Sequence, residues 1–496
     1  MVTSEAVPFA KTGGLADVCG ELPAELERLG HQAAVILPAY RQTRYCGLPL
    51  EPLGIDFIVP IGSKTVAGRL LASRLPGTQV PVYLVERDEY YDRDQLYREN
   101  GRDYDDNCER FVFFSRAALE AIRLLELKVD VIHANDWQTG LVPAYLKIEY
   151  RRLPRYERIG CLFTIHNMAY QGQFWHWDML LTGLDWKYFN WRQMEFFSQL
   201  NLLKTGLVFA DAINTVSPRY AEEIQTPRFG CGLEGVLQSR REVLSGILNG
   251  IDQDRWNPAT DPHLAVNYDV DSVGSGKPVC KAALQDEMGL PCRSDVPLVG
   301  MIGRMDAQKG FDLAAEVIAR WADTADLQWV ILGTGEESLE RRFRDLAKRY
   351  PHKVAARLAF SDGLAHAIEA GADMFLMPSR YEPCGLNQMF SLRYGTVPVV
   401  RETGGLADTV IDAGPTAIAD RTATGFVFRE DDPQALRETL GRACDAYRQP
   451  ALWAQLVDTG MRQDWSWRRS AGEYVRLYER ILHGSQANLG GPGTAR

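Results

Sequence analysis

Short apolar runs alternate with longer amphipathic stretches along most of the chain. Residues 129–133 (VDVIH), 161–166 (CLFTIH) and 212–216 (AINTV) each read as a strand, being aliphatic or β-branched and too short for a helix. A turn and a helix-like stretch from Gly140 follow the first. Ser217 and Pro218 follow the third as a helix start, because a serine hydroxyl can accept a bond from a free N–H and proline suits the first helical position. The second half is more regular. Strands are expected at 298–303, 328–332, 356–360, 374–377 and 397–400, and helices at 311–321, 339–350, 364–370 and 387–394. Strands and helices alternating at this spacing predict βαβ units and parallel sheets, hence an α/β fold class.

One sheet holding all these strands is improbable, so the chain should divide. The best break is 248–252 (LNGID), followed by a polar, proline-bearing run at 257–263. This predicts a first domain over 1–248 and a second over 249–470. Residues 471–483 form a further helix whose apolar face (Tyr474, Leu477, Tyr478, Ile481, Leu482) needs a partner surface. Residues 484–496 have almost no apolar content and are expected to be disordered.

One internal echo sharpens the picture. Thr12-Gly13-Gly14-Leu15-Ala16-Asp17 recurs unchanged at Thr403-Gly404-Gly405-Leu406-Ala407-Asp408. Six identical residues point to two related doubly wound domains, each with a Gly-Gly turn where a strand gives way to a helix. In open α/β sheets ligands sit at the carboxyl ends of the strands. Two such ends facing each other would make a cleft.

Composition narrows the function classes. The chain has 496 residues, 55 Lys+Arg against 65 Asp+Glu, 46% hydrophobic and 24% charged residues. That excludes wholesale disorder, and the acidic balance argues against a nucleic-acid binder, which needs a basic footprint. Nine scattered cysteines without a C-x-x-C pair read as reduced thiols, not as a disulfide framework or a zinc site. No basic region followed by an apolar run opens the chain, and no stretch of about 18 apolar residues occurs, so no signal peptide, no membrane partner and a cytoplasmic location are expected.

The candidate chemistry lies at the strand ends. Glycines let backbone approach a ligand, and a helix N-terminus favours an anion. Neither Gly-Gly copy is a G-x-x-x-x-G-K-[ST] loop or a G-x-G-x-x-G fingerprint, so a P-loop nucleotidase and a nicotinamide enzyme lose support. Lys11 precedes the first turn, and Arg304 and Lys309 lie in GRMDAQKG directly after a strand; a buried diphosphate needs such cations. Arg304 and Lys309 could be ordinary surface charges, but their place after a strand and before a helix favours function. Glu382 in PSRYEPCGL could accept bonds from sugar hydroxyls or simply favour a helix dipole. His133 and Asp136 (HANDW) and His166 with Asn167 (TIHN) stand at two strand ends, without metal-ligand spacing. Trp137, Tyr170, Phe174 and Trp175 could stack on sugar rings or fill core.

Taken together, these segments resemble bacterial glycogen synthase and plant starch synthase, the family-5 retaining glycosyltransferases. The matching stretches are KTGGLADV (11–18), ENGRDYDDNCERF (99–111), HANDWQTGL (133–141), TIHNMAYQG (164–172), LNGID (248–252), GRMDAQKGFDL (303–313), PSRYEPCGLNQ (378–388) and ETGGLADTV (402–410), in the family's order. The resemblance implies a GT-B architecture: two Rossmann-like parallel-sheet domains facing a cleft, with the C-terminal helix crossing back to the first domain. It implies transfer of glucose from ADP-glucose to the non-reducing 4-hydroxyl of an α-1,4-glucan (glycogen) primer, with retention, without metal or cofactor. Lys11, Gly13 and Gly14 would hold the donor, Arg304 and Lys309 the diphosphate, and Thr403, Gly404 and Gly405 would add backbone donors to it. Glu382 would hold glucose hydroxyls, in a segment where Cys384, Gly385 and Leu386 join substrate binding. His166 and Asp136 would line the sugar and acceptor side, with Asn249 nearby, and Phe360 would stack on adenine.

The match has departures. Only Met1-Val2-Thr3 precede Ser4, where resembled chains carry several apolar residues, so the first strand is expected to be nearly absent or to begin upstream. Phe390 stands where many retaining GT-B enzymes carry a second Glu for the ribose. Three alternatives stay open: another GT-B glucosyltransferase using UDP-glucose, a sugar-nucleotide epimerase of the same fold, and a non-catalytic glucan-binding protein. A phosphorylase is disfavoured, since no dedicated lysine site for pyridoxal phosphate is evident. A homo-oligomer is also left open.

Overall fold

The computed structural model describes residues 1–99 and 101–489. The chain divides into two compact units. One holds Met1–Val216, Ala221–Gly250 and the C-terminal stretch from Trp467; the other holds Ser217–Tyr220 and Ile251–Ser466. Asn249 and Gly250 therefore belong to the first unit, and the last helix begins at Trp467 rather than Ala471.

The second unit is built on six parallel strands: Leu298–Ile302, Gln328–Leu332, Val354–Arg357, Met374–Met377, Val397–Arg401 and Phe426–Phe428. Taken in chain order, the sheet runs third, second, first, fourth, fifth, sixth. The strands are apolar throughout because both faces are covered. Val299, Met301, Ile331, Leu376 and Val399 join one core, and Leu298, Val330, Leu332, Phe375 and Val400 the other, as the two-residue strand period demands. The helix Phe311–Trp321 buries Phe311, Ala314, Ala315 and Ile318 against the first of these cores. The third strand lies two to three residues earlier than expected. Its ladder with Trp329–Leu332 ends at Arg357, where Gly333 turns the partner away, so Leu358–Phe360 have no strand to pair with.

The first unit carries two four-stranded groups. Glu51–Ile61, Lys64–Arg74, Pro81–Glu86 and Val35–Pro38 form one, and Val131–Asn135, Gly160–Ile165, Ala212–Thr215 and Leu244–Gly246 the other. Val2 joins them. It bridges Ile36 on one side and Ala134 on the other, both in parallel. Val2 N donates to His133 O at 2.8 Å and Thr3 N to Ile36 O at 3.0 Å, so the first strand is reduced to a single bridging residue. The long antiparallel hairpin of Glu51–Ile61 with Lys64–Arg74 is an addition to the parallel plan.

The helix Trp467–Leu489 packs in this unit. Trp467, Ala471, Tyr474, Leu477 and Ile481 meet Val18, Leu22 and Leu26 of the helix Gly14–Arg28 and Leu162 of the sheet. Burying side chains the size of Leu477 and Ile481 contributes roughly 1.5–3 kcal/mol each. The helix corrects the expected start of the disordered tail: it continues through 484–489. Residues 490–496 lie outside the described residues. No helix among the described residues is long and apolar enough to cross a membrane.

Candidate active site

In the second unit the strand order reverses between Leu298–Ile302 and Met374–Met377, and the loops leaving these two strands meet at their carboxyl ends. Such a switch point is where open α/β sheets hold ligands. Lys309, from the first loop, donates through Nζ to Glu382 Oε2 of the second at 2.6 Å, and Ser379 Oγ donates to the same oxygen at 3.1 Å. Glu382 is buried, so its charge is matched by Lys309 rather than by water. The loops are stitched further: Arg380 N donates to Gln308 O at 2.8 Å and Asn387 Nδ2 to Ile302 O at 3.2 Å. Arg304 is half exposed and pairs with Asp306, while its Nη2 donates to Gln308 Oε1 at 3.0 Å.

The turn Thr403–Gly405 packs on this cluster. Gly404 sits at φ +44°, and a Cβ there would lie 2.0 Å from Glu382 O; at Gly405 it would lie 2.0 Å from Cys384 O. Gly405 N donates to Glu382 O at 3.1 Å. Gln388 Nε2 donates to Cys384 O and Gly385 O at 3.0 and 3.1 Å, which fixes the turn that ends at Leu386. Lys309, Glu382, Cys384, Gly385 and Thr403–Gly405 are thus one contiguous cluster. Phe360 is not part of it: it follows the third strand and is 92% exposed, with its ring face available.

In the first unit the corresponding edge follows Val2, Val131–Asn135 and Gly160–Ile165. Asp136 is buried in the left-handed region (φ 54°), a conformation costing about 1–3 kcal/mol for a non-glycine residue. Its carboxylate accepts from His166 N at 2.7 Å. Burial pushes the Asp136 carboxyl up to about 7, against the opposing donation from the His166 and Asn167 N–H groups. Burial holds His166 down to about 3, so its imidazole is neutral. Its Nε2 lies 3.0 Å from Asn135 Oδ1. The neighbouring His133 is different in kind: both its ring nitrogens are taken, by Tyr478 OH at 2.9 Å and Thr164 Oγ1 at 2.7 Å, so it is a structural residue.

The first Gly-Gly turn does not follow a strand directly. Residues 3–12 separate it from the Val2 bridge, and Gly14 opens the helix Gly14–Arg28. Glu5, which the sequence reading did not single out, organises this stretch. Its buried carboxylate accepts from Thr12 N at 2.5 Å, Thr12 Oγ1 at 2.6 Å, Gly13 N at 3.3 Å and Tyr97 OH at 2.7 Å. An isolated acid in the apolar SEAVPFA run was the signal available for it. Lys11 is exposed and pairs with Asp17 at 2.6 Å. A Cβ added at Gly13 or Gly14 would meet nothing within 4 Å. Asn249 is buried, and its Oδ1 has no hydrogen-bond partner among the described residues, an acceptor left for a ligand or water.

Of the candidate aromatics, Trp137 is core, Phe174 is half-buried against it, and Tyr170 and Trp175 are exposed. Among the described residues one group has metal-ligating types: His263, Asp362 and His366. Asp362 is paired with Arg255 at 2.7 Å, His366 Nδ1 with Asp261 at 2.6 Å, and the His366 ring stacks on Trp256, so packing accounts for the arrangement and no metal is assigned to it.

Two family models match the chain: a starch synthase catalytic domain over residues 1–239 and a group 1 glycosyl transferase domain over residues 289–454. Glycogen synthase of Rhodopirellula baltica is 48% identical over 492 residues, covering 97% of each chain. Glycogen synthase of Syntrophotalea carbinolica is 48% identical over 482 residues, covering 97% of this chain and 98% of its own. Among solved structures, the catalytic domain of starch synthase IV from Arabidopsis thaliana, bound to ADP and acarbose, superposes with a TM-score of 0.89 at 34% identity, over 97% of this chain and 98% of that one.

Proposed function

The chain belongs to the glycogen and starch synthase family of GT-B glycosyltransferases, and on that premise we propose that it lengthens α-1,4-glucans, moving glucose from ADP-glucose to the non-reducing 4-hydroxyl with retention at the anomeric carbon. The observation that carries the reading is the cluster at the switch point of the second sheet: Lys309 on Glu382, with Arg304 alongside and the Thr403–Gly405 turn packed beneath.

Arg304 and Lys309 bind the diphosphate. Negative charge grows there as the glycosidic bond breaks, so fixed cations stabilise the transition state more than the ground state. Glu382, already oriented by Lys309 and Ser379, accepts from glucose hydroxyls. Thr403, Gly404 and Gly405 serve the diphosphate through backbone. Because Gly405 N is already bonded to Glu382 O, that turn also acts by positioning Glu382. Cys384, Gly385 and Leu386 complete the donor wall, and Phe360 offers its open ring to adenine. From the first unit, Lys11, Gly13 and Gly14 engage the donor, while Asp136, His166 and Asn249 face the sugar and acceptor. The glucosyl ring becomes oxocarbenium-like. A departing phosphate oxygen takes the proton of the attacking hydroxyl on the same face, since no carboxylate among the described residues stands out as a nucleophile. Glucan and nucleotide sugar are the only partners the reading requires.

Incorporation of labelled glucose into glycogen, run with ADP-glucose beside UDP-glucose, tests it. Elongation with a clear preference for ADP-glucose is expected. A preference for UDP-glucose, or sugar conversion without any acceptor, would replace this reading with another GT-B enzyme or an epimerase.

A further inference from the structure

One ring nitrogen of His166 is held by the protein, and the residue that holds it fixes where the ring carries its proton. The control lies in Asn135, the fully buried residue before Asp136. Its Nδ2 is 3.2 Å from Val2 O and 3.2 Å from His133 O. Both are carbonyl oxygens, which can only accept, so the amide nitrogen must face them. Turning the amide over would aim its oxygen at two acceptors in a dry interior, losing both bonds and leaving buried groups unsatisfied. Asn135 Oδ1 is thereby held towards His166 Nε2 at 3.0 Å. An amide oxygen cannot donate, so Nε2 must carry the proton. In the neutral ring the lone pair is then on Nδ1, which has no hydrogen-bond partner among the described residues.

We propose that Asn135 is a positioning residue that locks His166 in the Nε2–H tautomer, so that His166 presents its ligand with a hydrogen-bond acceptor and nothing else. The chemical consequence is specific. Through Nδ1 the imidazole recognises a group that donates, such as a sugar hydroxyl, and it cannot donate to a phosphate oxygen or act as the acid that protonates a leaving group. The lock is anchored at Val2, the residue that joins the two halves of the first sheet, so the tautomer depends on how that bridging segment is seated. His133, two residues earlier, shows the contrast: with both ring nitrogens engaged by protein hydroxyls it has nothing left for a ligand.

The inference builds on the glucosyl-transfer reading for the identity of the ligand, but the lock itself is tested without substrate. In the full-length protein with 15N-labelled histidine, long-range proton–nitrogen correlation distinguishes protonated from unprotonated ring nitrogens. The His166 signals are assigned by their loss in His166→Gln. A neutral ring with Nε2 protonated and Nδ1 bare is expected, and an Nδ1–H tautomer, a tautomer mixture or a charged ring at neutral pH overturns the proposal. Asn135→Ala should then show mixed tautomers and a fall in kcat/KM of tenfold or more. A set of ADP-glucose analogues, each with one hydroxyl exchanged for fluorine, adds a readout that general loosening would not move. Fluorine accepts but does not donate, so one position should be discriminated against at least tenfold by the wild type and less by Asn135→Ala; equal discrimination in both proteins counts against the lock. Turnover of ADP-glucose with the wrong tautomer sinks the lock alone. The right tautomer without any ADP-glucose turnover sinks the functional reading and leaves the lock standing.

Discussion

The two Thr-Gly-Gly-Leu-Ala-Asp turns are identical in sequence and opposite in surroundings. At 403–408 the chain closes on its own glycines: Gly404 takes a left-handed φ, and a Cβ at either glycine would strike a backbone carbonyl of the Glu382–Cys384 segment. At 12–17 nothing stands within 4 Å of a Cβ on Gly13 or Gly14, neither residue has a positive φ, and the turn is shaped instead by the Glu5 carboxylate beneath it. The same six residues thus serve two needs. The second pair of glycines is required by the fold, because two loops of one site must touch. The first pair has no such internal requirement, and the open space around it is what the proposed donor contact would use.

Substitution separates the two cases. Gly404→Ala forces a methyl into the Glu382 carbonyl at a φ that disfavours any side chain. The cost should reach about 3 kcal/mol or more, since overpacking and left-handed strain add. Calorimetry should show a lower melting temperature, and glucosyl transfer should fall with it because Glu382 is displaced. Gly14→Ala is the inverse. It stands at the start of a 15-residue helix with open space around it, so stability should hold or rise by up to about 1 kcal/mol, while kcat/KM for the donor falls tenfold or more. A Gly14→Ala protein that loses stability and keeps its activity would reverse the assignment of the two turns.

The smallest effect concerns pH. Burial raises the Asp136 carboxyl to about 7 from an ordinary 3.8, so between those values the folded state holds a proton that the unfolded state has released. Stability therefore declines with rising pH across that window. His166, lowered to about 3 from 6.5, works the other way: the unfolded state gains the proton first, and stability declines as pH falls from 6.5 towards 3. If ionised Asp136 is the working form, kcat/KM should rise through about pH 7 and level off. Asp136→Asn should flatten both that limb and the corresponding part of the stability profile, measured by denaturant titration at several pH values.

Much of the second unit was legible from the chain. The helix at 311–321 and the strands at 328–332 and 374–377 stand where their apolar periodicity put them, because each is bounded by turn residues and buried on the face its period selects. The strand expected at 356–360 was displaced because a ladder ends where its partner ends, which no single segment reveals. The hairpin of Glu51–Ile61 with Lys64–Arg74 carries a visible alternation at Phe57, Val59 and Ile61, but the rule of alternating strand and helix left no place for it. In the site, charged residues beside glycines drew notice. Glu5, Asn135, Ser379 and Gln388 did not, since they act on other protein groups and their importance lies in hydrogen bonds between segments distant in sequence.

The central claim is that cations at the carboxyl edge of the second sheet draw the diphosphate away from the sugar. Arg304 tests it most directly, because its side chain is half exposed and lies at the start of the loop that carries Lys309. With Arg304→Ala, the rate of glucose transfer from ADP-glucose to glycogen should fall about 100- to 1,000-fold, the scale of losing one donor aimed at developing charge, with an unchanged melting temperature. A kcat within threefold of the wild type at saturating donor would contradict the account.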